Sequence, residues 1–495
     1  MRAFLMILAV LAGLFLIWLA WPATVDPAYW HEPEPPELTG VLEPRGRLAE
    51  AELISHPLLH SSEDVAIGSD GAIYSGQHDG SIVRLTRDGE SWAGETVAQV
   101  TSGPAVLGLQ WDAQGRLIAA AIDGIYAVDV TSGEVTLLST GATEHPLAFA
   151  DDLDIGPDGT IYFSEASYQW GAGDGTPQYA YDMAENRPYG LLYALDPATG
   201  EMEVLADGLY FANGVAMSAD NRAVFVLETY RYRLSRYWLE GPRAGEFEIV
   251  AENLPGIPDG LLGDGQGRLY IAMDTQRVPI MRFLHRNPFW TRMITKLPEW
   301  VWLRPGETKA FVLVMDEEGN YLDSFHDPDS RFGMLANVVP DEEGNLWLGS
   351  LTQPVIGRYA LPDSLSCAAS EFDRKGNTEV GLGRSEVRCQ SEDQQNLNPQ
   401  RLLVLAMMHI EQSRVDLYLN GQETWSGELA GYEGSTGISH TFILDVPNET
   451  TLRIDIDGQS FEAMIESQET ELVGYFSTIE NPAITIEPGT FLLAD

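Results

Sequence analysis

The chain is short of cysteine and of basic residues, and each shortage excludes something. Two cysteines, Cys367 and Cys389, among 495 residues are too few for a disulfide-framed fold. Without Cys-x-x-Cys spacing they supply no zinc site either. Outside the cytoplasm such a pair is expected to close a disulfide. Lys and Arg number 29 against 74 Asp and Glu, a net charge of −45. A surface this acidic repels phosphate and excludes nucleic acid as a partner. The acidity is spread along the chain, which reads as a solubilising surface, with attraction of cations as the alternative. No long helical period interrupts the middle of the chain. Ser164 and Ser167 lack any Gly-x-Ser-x-Gly setting, which argues against a serine nucleophile elbow.

What the chain does have is a repeat. Six apolar runs end in an Asp-Gly-like turn, beginning at Glu63, Leu107, Asp151, Asn213, Asp259 and Ala336. The turn residues are Gly71, Gly115, Gly159, Asn221, Gly267 and Gly344. Each turn leads into a second and a third short strand rich in small and β-branched residues. Strands repeated at roughly 44 residues are the mark of propeller blades, so the expected fold class is all-β, a six-bladed β-propeller over residues 49–362.

Flanking segments extend this plan. Residues 3–21 are an apolar run behind a single Arg2, followed by acidic, Pro-rich sequence. Residues 1–21 are therefore expected to form an N-terminal transmembrane helix with the globular part extracytoplasmic, periplasmic in a bacterium. A cleaved signal peptide is the alternative. Residues 22–48 read as a Pro/Glu-rich stalk that lifts the head off the membrane. Two inserts interrupt the repeats. Residues 167–188 are rich in Tyr, Gly and Asn. Residues 282–305 are locally basic (Arg282, His285, Arg286, Arg292, Lys296, Arg304) and aromatic, as a lid, a membrane-touching element or a packed helix would be. Residues 363–400 read as a linker carrying the cysteine pair. Residues 401–495 alternate with period two and are expected to form a small C-terminal β-rich, sandwich-like domain.

The first residue of each run forms a column: Glu63, Leu107, Asp151, Asn213, Asp259, Ala336. In a closed ring these side chains converge on the axis. Glu63, Asp151, Asn213 and Asp259 offer hard oxygens suited to Ca²⁺, or to Mg²⁺ or Mn²⁺. Asp and Asn as mere turn or cap residues are the plainer reading of any one position. Four in one register favour a metal site. The next column reads Asp64, Gly108, Asp152, Gly214, Gly260, Asn337. There Asp64, Asp152 and Asn337 serve as supports behind the ligands, or Asp64 and Asp152 hold a further ion. The glycines leave room for a ligand or for close backbone approach. His78, His145 and His326 are candidates to reach the mouth, though a lone histidine is more often a packing residue.

Phe211–Gly260, with Ser62–Leu85 and Phe149–Ser167, resembles the strictosidine synthase-like family of six-bladed propellers, including its adipocyte plasma membrane-associated branch. The resemblance covers residues 40–362. That family is similar to the SMP-30/gluconolactonase and paraoxonase group, whose calcium hydrolases carry ligands at positions matching Glu63, Asp151, Asn213 and Asp259. The resemblance implies a divalent-cation hydrolase of lactones or aryl esters with Asp259 or Glu63 as general base. A non-catalytic, metal-stabilised binding propeller is the alternative, and amine–aldehyde condensation a weaker one. Two departures matter. Where plant strictosidine synthases place a glutamate base, the chain has Asn337. Where paraoxonases place a histidine, it has Leu107-Gly108.

Overall fold

The computed structural model describes residues 21–362 apart from 90, 143–144, 172–177, 299–301, 303–307 and 342. Beyond these it describes residue 365 and the backbone of eight strands between Gln400 and Pro488. The apolar run and both cysteines lie outside the described residues. Among those described, no helix is long and apolar enough to cross a membrane.

Six four-stranded antiparallel sheets form the propeller. Their innermost strands are Val65–Ile67, Val106–Trp111, Ala150–Ile155, Ala212–Met217, Gly256–Gly263 and Leu335–Pro340. All six turn residues expected from the sequence adopt the left-handed region, with φ of 75°, 76°, 89°, 58°, 88° and 81° in chain order. Glycine takes this region freely and asparagine tolerates it. An aspartate beside each turn accepts the backbone N–H just past it, as Asp112 does from Arg116 at 2.8 Å and Asp341 from Asn345 at 2.8 Å.

The ring is closed from the other end of the chain. Blade 6 takes its outermost strand from Glu52–Ser55, paired antiparallel with Val355–Arg358. This closure joins sequence-distant strands, and the N-terminal segment completes blade 6.

That segment is not a stalk. Residues 26–51 lie along the propeller as a strap. Leu48 is fully buried in the core between blades 5 and 6, and Leu42 in the core between blades 4 and 5. Pro and Glu keep the strap extended as its composition implies. Its polar groups, however, find partners on the blades and on three helices: α1 (Gln178–Glu185), α2 (Pro279–Arg286) and α3 (Pro288–Ile294). Ala28 N–H donates to the Glu185 carbonyl at 2.8 Å, and Trp30 N–H to the His285 carbonyl at 3.0 Å. Glu32 and His285 form a buried pair at 2.9 Å. Asp26 pairs with Arg187 and Arg292, and Glu34 with Arg282. α3 comes from the 282–305 insert, α2 runs into it from Pro279, and α1 lies in the 167–188 insert.

The C-terminal unit comprises two four-stranded sheets of mixed and antiparallel pairing. It forms a compact unit of its own.

Because the strap fills core space, Leu48→Ala should destabilise the protein by about 2–5 kcal/mol through the cavity it leaves. The exposed Leu137→Ala should change stability by less than about 0.5 kcal/mol. Denaturant melts followed by near-ultraviolet circular dichroism compare the two.

Candidate functional site

Every innermost strand of blades 2–6 breaks register where the two columns fall: between Val106 and Gly108, Ala150 and Leu153, Ala212 and Val215, Pro258 and Leu261, and Leu335 and Val338. In blade 1 the paired strand begins only at Val65, after Glu63 and Asp64. A bulge re-aims side chains that a regular strand would alternate. Here it turns the first column towards the axis and the second towards the neighbouring blade.

The second column clasps the blades together. Asp64 accepts from Val65 N–H at 2.7 Å and from Leu109 N–H, on blade 2, at 2.6 Å. Asp152 accepts from Leu153 at 2.8 Å and from Val215, on blade 4, at 2.9 Å. The Asn337 amide of blade 6 donates to Asp64, closing the ring. Between these sit the glycines, and they serve backbone approach. A Cβ on Gly214 would stand 2.5 Å from Leu261 N, and one on Gly260 2.6 Å from the Ala336 carbonyl.

The first column lies at the axial end of the innermost strands. Glu63, Asp151, Asn213 and Asp259 are all buried. The carboxylates feel one another. Burial, then the charges of Glu63, Asp152, Asp274 and Glu165, push the Asp151 carboxyl well above the usual range. Burial, then Asp274, Asp151 and Glu63, do the same to Asp259. Asn213 Nδ2 donates to Asp259 Oδ1 at 2.5 Å. Leu107 and Ala336 are also buried and contribute no ligand atom.

Two further groups join the cluster. Asp274 hydrogen-bonds Asp259, and burial lifts its carboxyl to about 7. Blade pairing places Glu165 opposite Ala150, Glu228 opposite Ala212 and Ser350 opposite Leu335, and these side chains bond loop backbone. In blade 5 that place is Met273, opposite Pro258. Asp274 comes one residue later, on the other face of the pleat. That offset is the signal that sequence reading missed. The second group is His78, whose Nε2 lies 2.6 Å from Glu63 Oε2 and whose Nδ1 lies 3.2 Å from Ser61 Oγ. Burial pulls the imidazole pKa down, but the hydrogen bond and charge of Glu63 leave it raised overall.

His326 does not join the cluster. His326 sits on the outermost strand of blade 5, stacked on Phe311 with centroids 4.6 Å apart and hydrogen-bonded to Ser324 at 3.1 Å. Burial depresses its pKa to about 4. It packs the fold, correcting the expectation that it reaches the mouth. The backbone of His145 pairs with Ala142 in a two-residue bridge before blade 3.

Above the carboxylates stands an apolar wall. Phe149 and Phe211 meet edge-on at 5.3 Å, Phe211 and Tyr230 lie 4.6 Å apart, and Met183 of α1 packs on them. Phe211 holds φ 57°, a costly conformation for an aromatic residue. Tyr230 hydroxyl donates to the Tyr179 carbonyl at 3.1 Å, tying the wall to α1. Burial, with the charges of Asp182, Asp274 and Asp259 among lesser causes, keeps that phenol protonated. A cavity of about 1530 Å³ opens at the opposite, turn-side end of the channel, among Trp92, Trp111 and Trp347. It reaches Asp64, Asp152 and Asn337 but not the first column, so this cavity and the carboxylate cluster lie apart.

The donor set fits a hard divalent cation in composition: three carboxylates, an amide and Asp274, whose Oδ1 is buried without a partner. Among the described residues no three Asp, Glu, His or Cys side chains already surround a common point. They pair instead, Asn213 with Asp259 and Glu63 with His78. Turning the Asn213 amide over would present its oxygen.

A six-bladed propeller with an acidic axial cluster defines the class of protein. Residues 89–285 match the SMP-30/gluconolactonase/LRE-like region, and residues 40–85 the strictosidine synthase-like N-terminal region. The chain is 32% identical over 358 residues to the adipocyte plasma membrane-associated protein of Gallus gallus, across 68% of this chain and 84% of that one. It is 31% identical over 283 residues to the strictosidine synthase-like 6 protein of Arabidopsis thaliana, across 57% and 74%. A gluconolactonase from Xanthomonas campestris superposes with TM-score 0.47 at 20% identity, covering 69% of this chain and 99% of that one. The chain belongs to the strictosidine synthase-like, adipocyte plasma membrane-associated protein family of SMP-30/gluconolactonase-like propellers.

Raised carboxyl pKa values set a sign for pH dependence. Asp274 is lifted to about 7 and Asp182 to about 8, both by burial first. From about pH 4 upward the folded state therefore holds protons that the unfolded chain has released, and stability falls as pH rises through 7 to 8. Chelator-treated protein should show a denaturation midpoint that declines across this window, and Asp274→Asn should flatten the slope. An unchanged slope in the variant would remove Asp274 from the cluster.

Proposed function

We propose that the chain is a divalent-cation-dependent hydrolase of lactones or aryl esters. The observation that carries this reading is the meeting of Glu63, Asp151, Asn213 and Asp259, from four blades, in one buried cluster beside an aromatic wall. Glu63, Asp151, Asn213 and Asp259 would hold the cation, Ca²⁺ by preference for hard oxygens, with Mg²⁺ or Mn²⁺ as substitutes. When bound, it would polarise the carbonyl and stabilise the oxyanion.

The chain's own groups account for the rest. Phe149, Phe211 and Tyr230 offer a face for the apolar part of a lactone or aryl ester. Asp259 and Asp274 are hydrogen-bonded, burial raises both carboxyls and lifts that of Asp274 to about 7, and the pair can take a proton from an attacking water. They can return it to the leaving oxygen when the acyl C–O bond breaks. Glu63, held by His78, is the other candidate base. His78, less buried than the carboxylates, offers a path for protons to solvent.

The competing readings are weaker. Amine–aldehyde condensation needs a base at Asn337, and that amide is spent on Asp64 and Val338. A metal-stabilised binding propeller accounts for the cluster but not for the buried aromatic wall placed beside it. We further assign residues 1–21 as a membrane anchor with the globular part extracytoplasmic. The apolar run and the positive N-terminal flank support this.

Asp259→Ala and Glu63→Ala should each lower turnover of an aryl ester or lactone by about 100-fold or more while melting behaviour stays near wild type. Chelation should abolish turnover, and Ca²⁺ should restore it. Full activity after chelation would sink the cation-dependent mechanism. Silence on a broad ester and lactone panel would favour the binding role.

A further inference from the structure

The strap changes where the mouth must be. Trp21 begins the described chain, and five residues later Asp26 is fixed to Arg292 of α3 and to Arg187. Its backbone N–H also donates to Glu185 Oε1 at 2.7 Å, at the end of α1. Five residues reach no more than about 17 Å even when fully extended. A bilayer entered by residues 1–21 is therefore held close against α3 and against α1, the helix whose Met183 packs on the aromatic wall.

The surface presented there is unusual for this protein. Val278, Ile280, Phe283, Phe289, Trp290 and Leu297 are all exposed, six of the seventeen exposed large apolar side chains among the described residues. Phe289 and Trp290 are each more than half exposed, with their rings in contact at 5.3 Å. The opposite faces of the two helices bury Met281, Leu284 and Met293. α2 and α3 thus carry apolar groups on both sides, and among the described residues only the inner side is packed against protein. Trp21 and Tyr29, exposed on the strap, are aromatics of the kind that sit at headgroup level.

We propose that α2 and α3 dock into the surface of a lipid bilayer, with Ile280, Phe283, Phe289 and Trp290 entering the interface beside the anchor. The inference rests on the reading of residues 1–21 as membrane-embedded. It goes further, because it fixes which face of the propeller meets the lipid and from which phase the substrate comes. A docked mouth takes apolar esters or lactones that partition into the bilayer. The occupant is a neutral lipid interface. Arg282, Arg286 and Arg292 are already engaged by Glu34, by the Glu32 carbonyl and by Asp26. Docking should therefore depend little on anionic headgroups.

The full chain in phosphatidylcholine vesicles carrying a photoactivatable phosphatidylcholine tests this. Peptides spanning 278–297 should acquire lipid adducts, while the turn at Asp112–Arg116, at the far end of the propeller, should not. Adding phosphatidylglycerol should leave the pattern unchanged. Adducts confined to residues 1–21 would overturn the proposal. So would protection of 278–297 without adducts, which would point to a protein partner or a second copy. In a second arm, Phe289→Ser with Trp290→Ser should lower turnover of a vesicle-borne long-chain ester by about tenfold and spare a water-soluble lactone. Equal loss on both substrates would overturn delivery from the lipid. If wild-type protein turns over neither, the hydrolase reading falls, while the adducts still decide the docking.

Discussion

Crowding at the axis sets the terms for everything else. The six innermost strands approach so closely that a Cβ on Gly214 would stand 2.7 Å from the Asp259 carbonyl, and one on Gly108 2.8 Å from the Asp151 carbonyl. Only two kinds of residue fit this contact. One is glycine. The other is a short polar side chain that bonds the neighbouring blade, as Asp64 and Asp152 do through its backbone and Asn337 through the Asp64 carboxylate. The strands bulge at this level, so a second residue per blade is freed to point along the axis. The clasps and the candidate ligands are products of the same distortion.

The freed residues carry an electrostatic cost. Asp151, Asp259 and Asp274 gather beside the Glu63 charge, where burial and like charge disfavour their ionisation. A fold under selection for stability alone would place Leu or Ala there, as blades 2 and 6 do with Leu107 and Ala336. Retention of four carboxylates and an amide in blades 1, 3, 4 and 5 is strain of the kind that marks functional sites. A divalent cation would turn the repulsion into attraction. It would also remove the protons that now make burial tolerable.

The repeat, the turn positions and the first column were legible in the sequence because each is written in local pattern: six Gly or Asn positions that need φ above zero, six apolar runs, one shared register. Groups that depend on pairing across strands were not. Asp274 is hidden because its face of the pleat is set by the Met273–Pro258 pairing, which no spacing within one strand reveals. The closing strand Glu52–Ser55 lies about 300 residues from its partner. The strap looked like a stalk because Pro and Glu do make an extended chain. That its carboxylates meet Arg187, Arg282 and Arg292 is a matter of charges far apart in sequence.

The strap also changes what the lid can do. Residues 26–55 fill two inter-blade cores, complete blade 6 and pin α1 to α3, so lid and ring share one segment. Glu32 and His285 are buried almost completely, with His285 Nε2 3.0 Å from the Met183 carbonyl. Removing one partner of such a pair leaves a buried polar group unmatched, at a cost of about 3–5 kcal/mol. An α2–α3 unit hinged at its own loop ends could swing like a flap, but one held by this pair and by Arg231 over Trp30 cannot move without the strap. Under the proposed function, access to the aromatic wall would run along the margins of the helices, beside exposed Tyr179, and not through a large opening of the helices.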